Sequence, residues 1–110
     1  MDKELEIIKE AIEEKKGKDI KILELEGSSL ADYLVIATGS SKTNIKAISE
    51  GIDKKLYEAK VKRLGIEGYA EGEWILLDYD NIIVQLFNQE KREFYNIEEA
   101  MEIKTVLYEG

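Results

Sequence analysis

The sequence contains no cysteine, no histidine and no proline. Without cysteine, the chain can form no disulfide bond and can supply no thiolate as a nucleophile or metal ligand. Without histidine, it lacks the usual base at neutral pH and the commonest zinc ligand. Any catalysis would therefore depend on carboxylate or lysine side chains. The absence of proline also leaves no proline-rich linker between separate folding units.

Long hydrophobic runs are absent as well. No apolar stretch approaches the roughly 20 residues that a helix needs to span a bilayer, and the chain carries charge from its second residue onward. We therefore expect a cytoplasmic protein without a membrane partner.

Length and composition indicate one folded domain. The chain has 110 residues, and chains usually divide into separate domains only beyond about 250 residues. With 44% hydrophobic and 36% charged residues, it has enough apolar side chains for one core and enough charge to remain in solution around it. We therefore predict a single domain over residues 1–110.

Acidic residues outnumber basic ones, 24 to 16, so the formal net charge is −8. Such a charge repels phosphate backbones over most of a protein surface, which disfavours direct nucleic-acid readout. It favours a basic protein or a basic small ligand as the partner, although an acidic surface also serves solubility alone. Composition leaves both interpretations open.

Apolar periodicity predicts two amphipathic helices. The first has Asp2 as its N-cap and Gly17 as its stop signal, and the second spans residues 43–59. Their apolar faces comprise Leu5, Ile8 and Ile12 in the first helix and Ile45, Ile48, Ile52 and Leu56 in the second.

Alternating or continuous apolar runs predict five strands. The run over residues 33–37 suits a central strand that is covered on both faces. The last two runs meet across a short polar loop and predict a hairpin. The five segments are residues 19–25, which Gly27, Ser28 and Ser29 end, and residues 33–37, 61–66, 74–78 and 82–87.

Near the end of the sequence, Asn96 and Glu99 resemble a helix capping box, and Ile97, Ala100 and Met101 supply an apolar face beyond it. We therefore predict a short closing helix. Helices and strands then alternate without an internal repeat. This order predicts an α/β (α+β) fold, a single domain with a mixed β-sheet flanked by helices.

One segment resembles an anion-binding loop. Residues 38–41, Thr-Gly-Ser-Ser, lie between a predicted buried strand and a helix, where free N–H groups could hold an anion. The segment lacks the second glycine and the lysine of a phosphate-binding loop. We therefore interpret it as a strand-to-helix turn.

Asp78 and Asp80 could together hold a magnesium ion for nucleotidyl transfer. Enzymes of that kind place paired aspartates shortly after a Gly-Ser helix start, whereas a helix and a strand separate Ser40 from Asp78 here. The composition of Asp80 and Asn81 is instead typical of a hairpin turn. A metal-dependent nucleotidyltransferase-like enzyme that uses Asp78 and Asp80 is therefore the alternative function.

Trp74, the only tryptophan, begins a predicted strand on which Leu76 and Asp78 share its face. Tyr79 adjoins the strand at the turn. A tryptophan in this setting is either a core residue or the aromatic anchor of an interface. A basic and aromatic cluster after the hairpin could cover the sheet edge or contact a partner, and we interpret it as packing: Arg92, Phe94 and Tyr95.

Four fragments occur in an order and spacing shared with a known protein family. They are Ala31-Asp32-Tyr33 running into residues 36–41, Gly65-Ile66-Glu67-Gly68, residues 72–79, and Arg92-Glu93-Phe94-Tyr95. Together they resemble the ribosomal silencing factors, also called Iojap-like proteins, over nearly the whole chain.

The resemblance implies a nucleotidyltransferase-like fold without catalytic aspartates, and hence a binding protein with no enzymatic activity, cofactor or metal. It implies that the partner is the large ribosomal subunit, bound through ribosomal protein L14 at the surface that meets the small subunit. Subunit joining would then be blocked and translation repressed. The family's usual histidine in the second hairpin strand is replaced by Gln85. A homodimer also remains open.

Partner contacts are expected around the tryptophan, where an aromatic anchor excludes water and a carboxylate pairs with lysine or arginine. A chain of charge −8 must approach an RNA-rich particle through a basic protein patch. The predicted partner-binding residues are Glu67, Trp74, Leu76, Asp78 and Tyr79.

Overall fold

The computed structural model describes residues 1–27 and 30–110, so Ser28 and Ser29, which were expected to end a strand, lie outside the described residues. The described residues form six strands: β1 (Lys18–Leu25), β2 (Tyr33–Thr38), β3 (Gly65–Glu67), β4 (Trp74–Asp78), β5 (Ile82–Phe87) and β6 (Ile103–Glu109). The helices are α1 (Lys3–Glu14), α2 (Lys42–Glu58) and α3 (Gln89–Tyr95), and a 3-10 turn spans Ile97–Ala100. None of the helices in these two ranges is long and apolar enough to cross a membrane.

The strands form one sheet in the order β3-β4-β5-β2-β1-β6. β2 and β5 pair in parallel at its centre, and all other neighbouring pairs are antiparallel. The mixed sheet, the central strand over residues 33–37 and the β4–β5 hairpin are therefore confirmed.

The helices α1 and α2 pack side by side against one face of the sheet. Asp2 caps α1 by accepting the N–H of Glu4 at 2.8 Å, and Ser41 caps α2 by accepting the N–H of Asn44 at 3.0 Å. All the predicted apolar residues of both helices are fully buried and form the main core. Burial of each leucine or isoleucine contributes about 1.5–3 kcal/mol, so this face holds the helices on the sheet.

The opposite face of the sheet carries a smaller core, in which Leu34, Ile36 and Phe87 are buried. Partly buried hydrophobic residues pack over it: Trp74, Ile83, Ile97 and Met101. β2 is thus covered on both faces, as its apolar run predicts. On this side the cover comes from short segments, and Trp74 keeps part of its ring exposed.

The predicted closing helix forms only as a four-residue 3-10 helix, Ile97–Ala100, and it is not the last element of the chain. Asn96 adopts a left-handed conformation with a φ of 42°, ends α3, and makes no side-chain capping bond to the turn that follows. The predicted capping box with Glu99 therefore does not form. After the 3-10 turn the chain continues as β6, which pairs with the edge of β1. The long-range hydrogen bonds to β1 thus determine the last element of the chain, residues 103–109, for which no structure is predicted.

The third strand is shorter than its apolar residues suggest. Of residues 61–66, only Gly65 and Ile66 enter β3. The N–H of Val61 donates to the carbonyl of Leu56 at the end of α2, at 2.8 Å, so this residue completes the helix end and does not begin the strand.

Candidate functional site

Trp74 is held on three sides at the start of β4. Its ring centroid lies 5.2 Å from that of Phe87 and 4.5 Å from that of Tyr95. Its indole Nε1–H donates to Oε1 of Gln85 at 2.9 Å. The ring is half-buried, so it is neither a closed core residue nor a free surface side chain. Such a ring can contact a partner without first losing conformational freedom.

An open cleft of about 500 Å³ lies beside the tryptophan. Residues 67–73, which run from β3 to β4, contribute acidic side chains and a glycine, and α3 contributes one basic and one aromatic side chain. We call it the Trp74 cleft; its lining residues are Glu67, Gly68, Glu71, Glu73, Trp74, Leu76, Lys91 and Tyr95.

Gly68 brings the backbone of the β3–β4 connection against β4. Its φ is +79°, and a Cβ atom at this position would lie 1.9 Å from the carbonyl oxygen of Trp74. Only glycine combines this backbone conformation with so close an approach. The preceding residue, Glu67, lies opposite Leu76 in the β3–β4 pair. The glycine thus positions Glu67 beside the tryptophan.

The cleft is acidic overall. Three of its lining side chains are glutamates and one is a lysine. Glu73 is the carboxylate nearest to the basic groups, with Oε1 3.7 Å from Nζ of Lys42 and Oε2 3.9 Å from Nζ of Lys91. Nζ of Lys91 also lies 5.9 Å from the centroid of the Tyr95 ring. The ammonium group of Lys91 therefore lies between a carboxylate and an aromatic ring of the site.

The structure brings most of the predicted partner-binding residues together. Glu67, Trp74 and Leu76 line the Trp74 cleft. Asp78 lies further along the same face of β4, opposite Gly65, and its Oδ1 accepts the N–H of Asp80 at 2.9 Å. Alternation along the strand places all of these side chains on the side away from α2.

Tyr79 is the exception, and its assignment to this surface needs correction. Its side chain is 4% exposed and packs in the main core, with its hydroxyl donating to Oδ1 of Asp53 on α2 at 3.0 Å. Burial, and then the charge of Asp53, raise the pKa of Tyr79, so the phenol keeps its proton. Tyr79 follows Asp78 by one residue and therefore points to the other face.

Gln85, singled out in the sequence only as the replacement of the family's usual histidine, supports the site in a way that sequence reasoning did not predict. It is buried opposite Leu76 in the β4–β5 pair, and its amide oxygen holds the indole of Trp74. The available signal was one amide within the apolar run of β5. A buried amide needs a hydrogen-bond partner, and the tryptophan one strand away is a suitable donor.

We expect Gln85→Leu to lower the free energy of unfolding by about 1 kcal/mol, because the indole N–H loses its acceptor in a half-buried position. Urea denaturation followed by Trp74 emission measures the change. Gln85→His is the matched control, since a neutral imidazole nitrogen can accept the same hydrogen bond. Equal losses in both variants would contradict this role for the amide.

The Thr38–Ser41 segment is a strand-to-helix turn, as predicted. The N–H of Gly39 donates to the carbonyl of Phe87 at 2.8 Å, and the N–H of Ser40 donates to Oδ1 of Asn44 at 2.9 Å. With Ser41 capping α2, these groups are used within the fold.

The two aspartates of the alternative function lie in and beside a hairpin turn. Asp80 has a φ of +75° and is exposed, and Asp78 accepts its N–H. Within residues 1–27 and 30–110, no group of three or more acidic side chains is arranged to hold a metal ion.

The cluster after the hairpin divides between packing and exposure. Nη1 of Arg92 donates to Oγ1 of Thr38 at 3.0 Å and to the carbonyl of Asp19. Burial lowers the pKa of Arg92, against the opposing effect of Glu98. Tyr95 packs on Trp74, whereas Phe94 is 79% exposed. Arg92 and Tyr95 thus pack as predicted, whereas Phe94 remains at the surface, with its ring centroid 5.2 Å from that of Tyr95.

Sequence comparison gives consistent relatives. A family model described as "Ribosomal silencing factor during starvation" matches residues 1–105. Proteins named ribosomal silencing factor RsfS from Chromobacterium violaceum and Bacillus subtilis are 40% and 35% identical to the chain. The alignments cover 81% of this chain and 74% of the first relative, and 86% of this chain and 80% of the second. A chloroplastic Iojap protein from Arabidopsis thaliana is 31% identical over 91% of this chain and 43% of its own length.

Solved structures agree with the fold. A crystal structure of a protein from Chromobacterium violaceum superposes with a TM-score of 0.87 at 32% identity, covering 98% of this chain and 94% of the other. One from Bacillus halodurans superposes with a TM-score of 0.81 at 28% identity, covering 92% and 95%.

Proposed function

The chain belongs to the ribosomal silencing factor family and acts in ribosome silencing, and from this premise we propose that it binds the large ribosomal subunit through ribosomal protein L14. The bound protein then covers the face of the large subunit that meets the small subunit, so it blocks joining of the two subunits and represses translation. The relatives are named ribosomal silencing factors. The proposal accordingly assigns a cytoplasmic binding protein that needs no enzymatic activity, cofactor or metal.

The observation that carries this proposal is the half-exposed Trp74 beside an acidic cleft. An aromatic ring fixed by Gln85 and Tyr95 can serve as an interface anchor, because little conformational entropy is lost on binding. The carboxylate of Glu67 beside it can pair with a lysine or arginine. With a net charge of −8, the protein suits a basic protein surface better than exposed RNA.

The size of the protein is sufficient for steric blocking. The chain extends about 34 × 34 × 24 Å. A protein of that thickness, bound on the joining face, keeps the two subunits further apart than direct side-chain contacts between them can span. No conformational change is required of the silencing factor itself.

Co-sedimentation tests this function. The protein is mixed with isolated large subunits, with isolated small subunits or with assembled ribosomes, and is then centrifuged through sucrose. We expect it to pellet with large subunits only and to reduce the yield of assembled ribosomes when small subunits are added afterwards. Equal pelleting with all three particles, or none with any, would contradict the proposal.

Asp78 and Asp80 separate this function from the enzymatic alternative. We expect Asp78→Asn to weaken large-subunit binding by about 1 kcal/mol, or about fivefold, because it removes a charge from the proposed face. Asparagine keeps the Oδ1 that accepts the turn N–H. Asp80→Asn should leave binding unchanged, since asparagine tolerates its positive φ.

The measurement is the co-sedimentation assay repeated over a series of subunit concentrations. If instead both substitutions abolished a magnesium-dependent nucleotide activity and left subunit binding intact, the metal-dependent enzyme would replace the binding protein.

Self-association is a second proposal, supported by β6. This strand lies at the edge of the sheet, and Ile103, Val106 and Leu107 are exposed along it. An edge strand carries backbone groups that can pair with a second copy. We expect light scattering of concentrated protein to report twice the 12.6 kDa of one chain. Val106→Lys should restore the mass of a single chain, and a wild-type mass of one chain throughout would contradict the dimer.

A further inference from the structure

The ammonium group of Lys91, which lines the Trp74 cleft, shows what kind of ligand the cleft can bind. Nζ of Lys91 lies 3.9 Å from Oε2 of Glu73 and 5.9 Å from the centroid of the Tyr95 ring. The second distance is near the outer limit of a cation–π contact, which is about 6 Å. A lysine of the protein's own chain thus occupies the margin of a site that combines carboxylate and aromatic groups.

Two carboxylates of the cleft are left for a second cation. Glu67 and Glu71 are exposed, and no ion pair within 4.0 Å involves either of them among residues 1–27 and 30–110. Leu76 also lines the cleft, opposite Glu67 in the β3–β4 pair, and it is half-buried, so it offers an apolar surface to a hydrocarbon stem.

We propose that the Trp74 cleft receives a single arginine side chain of the partner protein. The guanidinium stacks on the exposed parts of Trp74 and Tyr95 and donates hydrogen bonds to Glu67 and Glu71, while its hydrocarbon stem lies along Leu76. Arginine is favoured over lysine because its group is planar, weakly hydrated and able to bind carboxylates with two parallel bonds. The inference rests on the proposed function for the identity of the partner only.

Trp74 is the only tryptophan in the sequence and lines the cleft, so its fluorescence reports binding there. A blocked tetra-arginine peptide is titrated into the full chain while Trp74 emission is recorded. We expect a saturable change in emission, and an affinity for tetra-lysine that is at least about threefold weaker. Glu67→Gln/Glu71→Gln should weaken tetra-arginine binding about tenfold, because two charge-assisted hydrogen bonds lose their charge.

A matched double variant separates a specific site from general attraction. Glu10→Gln/Glu13→Gln makes the same change in net charge on exposed positions of α1, across the sheet from Trp74. We expect less than a twofold effect from this pair. Equal weakening by the two pairs, equal affinity for the two peptides, or no saturable change in emission would each overturn the proposal.

The same variants distinguish failure of this inference from failure of the proposed function. If large subunits bind the protein and Glu67→Gln/Glu71→Gln leaves that binding and peptide binding unchanged, the arginine site is wrong and the silencing function stands. If the peptide binds in the cleft and no ribosomal subunit binds the protein, the site stands and the assigned partner is wrong.

Discussion

Trp74→Ala is expected to weaken binding to large ribosomal subunits by about 2 kcal/mol or more, which is about thirtyfold. The substitution removes the ring that Phe87 and Tyr95 hold in place and that faces the cleft. A preorganised aromatic ring at the centre of an interface contributes more than the acidic side chains at its margin. Co-sedimentation over a series of subunit concentrations measures the loss.

Two controls accompany this variant. Circular dichroism and urea denaturation establish that Trp74→Ala is folded at the assay temperature, because a half-buried ring also contributes to stability. Tyr57→Ala removes an aromatic side chain that is 76% exposed on α2, away from the cleft, and should bind subunits normally. A folded Trp74→Ala protein with wild-type affinity would exclude Trp74 as the anchor.

Gly68→Ala is expected to lower the free energy of unfolding by at least about 2 kcal/mol. The left-handed backbone conformation strains any residue with a Cβ atom, and here that atom would also collide with the carbonyl oxygen of Trp74. To relieve the collision, β3 must move away from β4. The variant should therefore also lose subunit affinity, since Glu67 moves with β3. Urea denaturation measures the first effect and co-sedimentation the second.

Gly27→Ala is the matched control. Gly27 also has a positive φ, of 59°, but an added Cβ would have no neighbour within 4 Å among the described residues. The cost there is the backbone strain alone, about 1 kcal/mol. The difference between the two alanine variants thus isolates the contact between Gly68 and β4. Equal losses would show that the β3–β4 connection relaxes without disturbing the sheet.

Most of the fold was predictable because its signals are local. The two long helices repeat apolar residues every three or four positions, and the central strand is one continuous apolar run. Each of these patterns has one stable solution, a buried face against a sheet or a strand buried on both faces. The residues around Trp74 were also recognisable as a candidate surface, since alternation along β4 places Leu76 and Asp78 on the same side.

Long-range contacts determined the remaining features. Residues 96–101 carry a weak helix signal and form only a 3-10 helix, whereas residues 103–109, for which no element is predicted, become β6 because β1 offers them a free edge. Alternation already turns Tyr79 away from the face of Asp78, but its partner, Asp53 on α2, comes from a distant part of the sequence. The Trp74 cleft combines residues 67–73 with α3, which lie on either side of the hairpin in sequence. No local sequence pattern predicts that these segments come together, since hydrogen bonds and burial between distant residues stabilise the contact.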